Sequence, residues 1–254
     1  MSTPLRTRLS RARGRVARWL GISVLAFLAL TILPVVALRW VDPWTSAFMI
    51  SARMDSLLER EWQANRYEWR DLEQISPQAA IAVIASEDQQ FPFHAGFDMK
   101  SIREAVRHNA RSKRVRGAST ISQQVAKNLF LWKGRSYLRK GLEAWFTVLI
   151  ERIWPKERIL EVYLNIAEFG PRVYGAEAAA QTFFRKPALK LTRRESALLA
   201  AVLPNPAKYR AESPGPYVRR RADWIQGQMR ALGGAKYLQE LDDPTPEPLR
   251  WKKP

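Results

Sequence analysis

The chain has 254 residues, no cysteine and a formal net charge of +18. That length allows one domain of ordinary size with appendages, and the lack of cysteine excludes disulfides and thiolate metal sites. The charge calls for a polyanionic partner, which nucleic acid, anionic lipid and a pyrophosphate-bearing substrate all satisfy. Apolar residues at 46% and ten tryptophans suffice for a packed core.

Residues 1–18 form a basic segment with six arginines and no acid, which leaves +12 for the remainder. Excess charge therefore belongs to residues 19–254 as well, and nucleic acid drops out as the expected partner. Trp19 to Leu38 is a run of twenty uncharged residues. At about 1.5 Å per residue it spans a hydrocarbon core of roughly 30 Å. A cleavable signal peptide is the competing reading, with Val35-Val36-Ala37 as its cleavage site, but its apolar region is normally only about 7–15 residues. Length favours a retained transmembrane helix over 19–38, its N-terminus held inside by the arginines. Trp40 and Trp44 then fall where an aromatic belt lies, and Pro34 near the outer end.

Residues 39–75 read as a juxtamembrane region containing Trp62, Tyr67 and Trp69. Beyond it the pattern is all-α. Ser76-Pro77 is an N-cap with proline at the first helical position, opening a helix to about Asp88. Asp98 caps the next, to about Ser112. A basic loop over 113–117 precedes Ser119, read as the cap of a helix reaching Leu131. Leu142, Trp145, Phe146, Leu149, Ile150 and Ile153 follow the spacing of a buried helical stripe, which Pro155 breaks. Thr192 with Glu195 forms a capping box. The last helix, about Tyr217 to Leu232, stops at Gly233-Gly234. Residues 236–254, rich in proline and charge towards the end, read as a loosely ordered tail after a domain over 76–235.

Four segments carry candidate chemistry. Glu87 and Asp88 end an apolar helix and enter the aromatic loop Phe91-Pro92-Phe93-His94. An acid against apolar surface has a raised pKa suited to proton transfer; the plainer alternative is a polar helix end with Asp88 solvated and His94 a satisfied loop residue. In Gly117 to Asn128, Thr120, Gln123, Gln124 and Lys127 share a helical face that suits sugar hydroxyls and a phosphate, behind a start at Gly117 and Ser119 that suits an anion; a solvated face is the alternative. Arg139 and Lys140 precede Glu143 by four and three residues, so one carboxylate stands between two cations; an exposed ion pair gives the same pattern. Lys156 to Asn165, with Phe169 to Gly175, reads mostly as packing and turns.

In this order the motifs resemble the peptidoglycan glycosyltransferase family (family fifty-one). They are Glu-Asp-x-x-Phe-x-x-His-x-Gly at 87–96, Gly-Ala-Ser-Thr-Ile-Ser-Gln-Gln at 117–124, Arg-Lys-x-x-Glu at 139–143 and Lys-x-x-Ile-Leu-Glu-x-Tyr-Leu-Asn at 156–165. The chain carries no Ser-x-x-Lys with further penicillin-site motifs after them, so the single-function form is expected. The resemblance implies a lysozyme-like helical domain with a smaller membrane-facing subdomain. Its substrates are lipid II and the growing glycan strand, joined by β-1,4 linkages with release of undecaprenyl diphosphate. Glu87 is implied as general base and Glu143 as the second catalytic acid. Ser119, Thr120, Gln123, Gln124, Lys127, Arg139 and Lys140 are implied as substrate-binding. The resemblance implies no definite cofactor and allows a divalent cation (Mg or Mn) at the donor diphosphate. It places the domain in the periplasm on the inner membrane, with membrane lipid as a partner and division or elongation proteins as allowed ones. After Asp98, Glu104 sits between Arg103 and Arg107, leaving open which arginine serves the donor. The apolar cluster Leu129 to Trp132 is read either as a bilayer contact or as core.

The nearest rival is a lysozyme-like hydrolase or lytic transglycosylase, whose general acid would resemble Glu87. A non-enzymatic, membrane-tethered protein accounts for charge and anchor but not for the ordered acids, amides and cations.

Overall fold

The computed structural model describes residues 5–59, 63–112, 117–134 and 136–241, with side chains from residue 15. Trp62, the cations of the 113–116 loop and the tail from Asp242 onward lie outside the described residues. Two compact units result, 1–41 and 42–254.

The first unit is the helix α1 (Leu5–Ala37), with Pro34 inside it. Its segment Arg15–Ala37, 23 residues at a mean hydropathy of 2.5, is long and apolar enough to cross a membrane. Trp19, Leu25, Leu30 and Leu33 lie exposed along it. Apolar side chains turned outward in this number suit lipid rather than water.

Among the described residues, the regular structure of the second unit is helical apart from one small sheet. At its centre is α3 (Pro77–Glu87), capped by the Ser76 hydroxyl, with every residue from Ala79 to Ala85 buried. A helix apolar on all sides must be covered on all sides. Here α9 (Arg193–Val202), α10 (Pro216–Ala231) and the 3-10 turns of 234–241 pack against it. Burying Ile81, Val83 and Ile84 contributes roughly 1.5–3 kcal/mol each. A second group forms around α5 (Ile121–Phe130), which packs on α6 (Tyr137–Ile153) and α7 (Lys156–Ile166). The exposed helix α4 (Met99–Arg111), capped by Asp98 as its sequence predicts, joins the two groups in the chain.

The structure adds short elements within this helical architecture and corrects some expectations. The juxtamembrane region contains a helix, α2 (Ala47–Leu58), started by the Ser46 hydroxyl. Strand β1 (Arg66–Tyr67) pairs in parallel with β3 (Val173–Tyr174), and β3 pairs antiparallel with β2 (Glu168–Gly170); helix α8 (Ala176–Phe184) follows β3. Two- and three-residue strands carry no alternation to read. The region after residue 235 is not yet tail, since Tyr237 and Leu241 are buried and the Tyr237 hydroxyl donates to the Gln89 carbonyl at 2.6 Å. On α6 the buried positions are Glu143, Phe146, Thr147 and Ile150, while Leu142, Trp145, Leu149 and Ile153 are only half-buried. The helix is rotated so that a carboxylate faces inward. Phe130 stacks on Phe146 at 4.5 Å; Leu129 and Leu131 are core, whereas Phe130 is half-buried and Trp132 half-exposed.

The start of α5 also differs. Its cap is Thr120, not Ser119: the Thr120 hydroxyl accepts from Gln123 N at 3.2 Å, and Gln123 Oε1 accepts from Thr120 N at 3.0 Å. Ser119 is exposed, one residue before the cap. A threonine with glutamine three residues on closes a reciprocal capping box, which Ser119 with Ser122 has no side chain long enough to do. The Thr120 hydroxyl also donates to the Gly96 carbonyl at 2.7 Å. Thr120→Val therefore strands two buried partners and lowers stability by roughly 1–3 kcal/mol. Denaturant unfolding reads that loss; a fully stable variant that no longer binds substrate would return Thr120 to a substrate role.

Candidate active site

Four helices bring their polar groups to the C-terminal end of α3. Glu87 is the last residue of α3, and its side chain is 16% exposed. Gln124 of α5 donates from Nε2 to Glu87 Oε2 at 3.0 Å. The buried hydroxyl of Tyr163, on α7, donates to Gln124 Oε1 at 3.2 Å and so turns the amide NH2 towards Glu87. From α10, Arg221 brings Nη2 to 3.5 Å from Glu87 Oε1. Burial pushes the Glu87 carboxyl above the ordinary glutamate value, and the Gln124 hydrogen bond, Arg221 and Lys127 pull the other way. The sequence expectation of a shielded acid here holds.

Asp88 departs from the solvated alternative: it is 6% exposed and caps the end of α3. Its carboxylate accepts the first amide of α5, Ile121 N, at 3.0 Å, and His94 Nε2 lies 3.0 Å from each oxygen. Gly96 N donates to His94 Nδ1 at 3.1 Å, which fixes the tautomer: Nε2 carries the proton and donates to Asp88. His94 is thus a satisfied loop residue. Gly96 is required where it stands, with φ +87° and a Cβ that would lie 2.6 Å from Thr147 Cγ2. Lys156 anchors the same loop, donating to the His94 carbonyl at 2.6 Å and to both Glu151 oxygens at 2.9 Å, with its ammonium over the Phe91 ring. The Ser122 hydroxyl donates to Glu151 from α5.

The second acid is buried as well. Glu143 is 3% exposed; Arg139 Nη1 donates to its Oε2 at 3.0 Å and Lys140 donates to its Oε1. This is not the solvated ion pair that sequence spacing allows. Lys140 is half-exposed, and Arg139 Nε has no partner among the described residues, so donor capacity remains for an anion. Lys127 lies within the electrostatic reach of both acids. It lies one turn beyond Gln124, and burial lowers its pKa while the charges of Glu143 and Glu87 raise it. Its ammonium stands 5.5 Å from the Phe48 ring, a contact supplied by the unanticipated α2.

Of the sequence-derived set, Glu87, Gln124, Lys127, Arg139, Lys140 and Glu143 form two coupled groups. Thr120 and Gln123 are buried in the helix cap, and Ser119 stands outside it. Arg103, Glu104 and Arg107 lie on α4, whose surface is largely exposed. Asn165 and Glu161 serve the core: Asn165 Nδ2 donates to the Arg70 carbonyl at 2.8 Å, and Glu161 Oε1 accepts Leu72 N at 2.9 Å. Sequence reasoning missed Arg221 and the part played by Tyr163. Arg221 stands in an arginine triplet that reads as surface charge, and only the packing of α10 on α3 separates it from Arg219 and Arg220. A divalent cation fits the residues poorly, because both Glu143 oxygens already face cations and no group of three or more acid or histidine side chains is gathered among the described residues. A surface cavity of about 690 Å³ lined by Arg66, Arg172, Arg210 and Glu212 shares no residue with this site.

One shielded carboxyl suited to proton transfer, next to cations suited to an anion, is the arrangement of a group-transfer enzyme. The Transglycosylase family matches residues 54–230. A biosynthetic peptidoglycan transglycosylase of Xanthomonas euvesicatoria pv. vesicatoria is 57% identical over 230 residues, covering 90% of this chain and 92% of the relative. Proteins of the same description from Xylella fastidiosa and Shewanella oneidensis are 51% and 54% identical, covering 87% and 86% of this chain and 91% and 93% of those relatives. The chain belongs to the transglycosylase family.

Asp88→Asn tests the clamp. An amide offers one oxygen and an NH2 where the carboxylate accepts from both His94 and Ile121, so one buried donor is left facing a donor. Thermal melting should show a lower Tm. Turnover should fall in parallel with the displacement of α5.

Proposed function

We propose that this protein polymerises lipid II into β-1,4 glycan strands, with Glu87 as the general base and Glu143 at the diphosphate end. The observation that carries this reading is the pairing of a shielded Glu87 with the Lys127, Arg139 and Lys140 set, in a chain of this family and with an apolar anchor helix. The growing strand is the donor, held by its lipid diphosphate. Glu87 takes the proton of the acceptor 4-hydroxyl, the oxygen attacks the anomeric carbon from the face opposite the diphosphate, and the carbon–oxygen bond to undecaprenyl diphosphate breaks with inversion. Glu87 Oε2 is occupied by Gln124, whereas Oε1 faces only Arg221 at 3.5 Å, longer than a good hydrogen bond. Oε1 thus keeps a lone pair for the incoming hydroxyl. The cations offset the negative charge that grows on the leaving diphosphate, and Glu143 holds Arg139 and Lys140 in place for it.

A glycan hydrolase shares the shielded acid but has no use for three cations, because its leaving group is a sugar hydroxyl. Supplying the purified full-length protein with lipid II or with finished glycan, and sizing the products, separates the two. Glu87→Gln keeps shape and hydrogen-bonding reach but takes no proton, so polymerisation should fall by about 10²–10⁴-fold with folding intact. Glu143→Gln should lower turnover more than it lowers Tm. A folded Glu87→Gln protein within a few-fold of wild type would falsify the base assignment.

The same reading places the protein in the cytoplasmic membrane as a single span, N-terminus inside, with its catalytic domain in the periplasm, beside a substrate that stays in the bilayer. Protease added to spheroplasts should digest the domain and spare an N-terminal tag. A mature N-terminus at Leu38 would instead show that α1 is a cleaved signal.

A further inference from the structure

We propose that Arg221 is the positioning residue that keeps Glu87 ionised and aimed at the acceptor hydroxyl. The inference rests on Glu87 being the base. Helix α10 buries Val218, Ala222, Ile225 and Met229 as a stripe against the domain. Arg221 flanks that stripe and turns inward, whereas Arg219 and Arg220, just before it, are exposed. Its side chain is 24% exposed and its Nε is buried with no partner among the described residues.

The geometry differs from that of a structural ion pair. A charge-assisted arginine–carboxylate bond closes to about 2.7–2.9 Å and is often bidentate. Arg221 stands at 3.5 Å, engages one oxygen, and leaves Nε unused. The cation is near enough to favour the charged carboxylate and too far to take up its lone pair. The base needs such support. It must be unprotonated to act, and burial on α3 opposes that. The groups facing it are Asp88 of α3, which opposes ionisation; Gln124 and Lys127 of α5, which favour it; the buried Tyr163 phenol of α7; and Arg221 of α10. Lys127 also serves Glu143. Among the described residues, Glu87 is the acid with which Arg221 pairs.

The test is the pH profile of kcat/KM for lipid II polymerisation by the full-length protein in detergent. Wild type is compared with Arg221→Gln, Arg221→Met and Arg221→Lys, and Glu87→Gln serves as the reference. Base catalysis requires ionised Glu87, so activity falls as pH drops through its pKa. Losing the cation should raise that pKa and move the acid limb up by about one pH unit for the neutral variants. Their rates should approach wild type at higher pH, and the lysine variant should shift less. Arg221→Met keeps the aliphatic stem and is read in place of Gln should the latter fail to fold. Folded neutral variants with an unmoved acid limb, or with the same loss at every pH, overturn the role. An inactive Glu87→Gln beside an unmoved limb removes Arg221 alone, whereas an active Glu87→Gln removes the base reading beneath it.

Discussion

The site depends on one buried carboxylate, that of Asp88. It ends α3, accepts the first amide of α5 and holds the His94 ring, so it joins the two helix groups of the domain at a single point. An anion is well placed there because the start of α5 presents unpaired amide groups and the positive end of its dipole. With that junction fixed, Glu87 one residue earlier projects to a different side and meets Gln124 one turn into α5. Lys156 and Thr120 hold the intervening loop from two further directions. The Glu-Asp dipeptide thus divides its work, with the second acid building the place in which the proposed base stands.

Electrostatics separate the two candidate acids in the same way. Glu87 has a neutral amide on one oxygen and a cation held at a distance on the other, which suits a group that must take up a proton. Glu143 has a cation on each oxygen, which suits a fixed charge. Lys127 feels the charge of both acids. Breaking a buried pair such as Arg139–Glu143 leaves an uncompensated charge. A substitution at Glu143 therefore costs stability whatever its role in the proposed reaction, and a conservative amide is more informative there than alanine.

The region between anchor and α3 is integral to the domain. Arg158 of α7 donates to Asp42 at 2.8 Å and lies over the Trp69 ring, and Tyr67 donates to the Pro43 carbonyl. Phe48 of α2 faces Lys127. A boundary drawn at residue 76 from the first strong helix signal therefore falls inside a folded unit that begins at Asp42.

By itself the sequence determined whatever local chemistry dictates. The apolar run behind six arginines, the Ser76, Asp98 and Thr192 caps, the stop at Gly233-Gly234 and the ordered motifs with Glu87 and Glu143 were all legible, because each depends on residues within a turn or two of one another. Only the tertiary structure decided which side of a helix faces inward and what meets it there. Spacing put Thr120 and Gln123 on the same stripe as Gln124 and Lys127, but the cap claims the first pair and leaves the second to the site. Spacing left Glu143 as exposed as any surface ion pair, and the rotation of α6 buries it. Arg221 lies 134 residues beyond Glu87 and no local pattern joins them. Their approach follows from the packing of α10 on α3, since helix contacts are made between faces rather than along the chain.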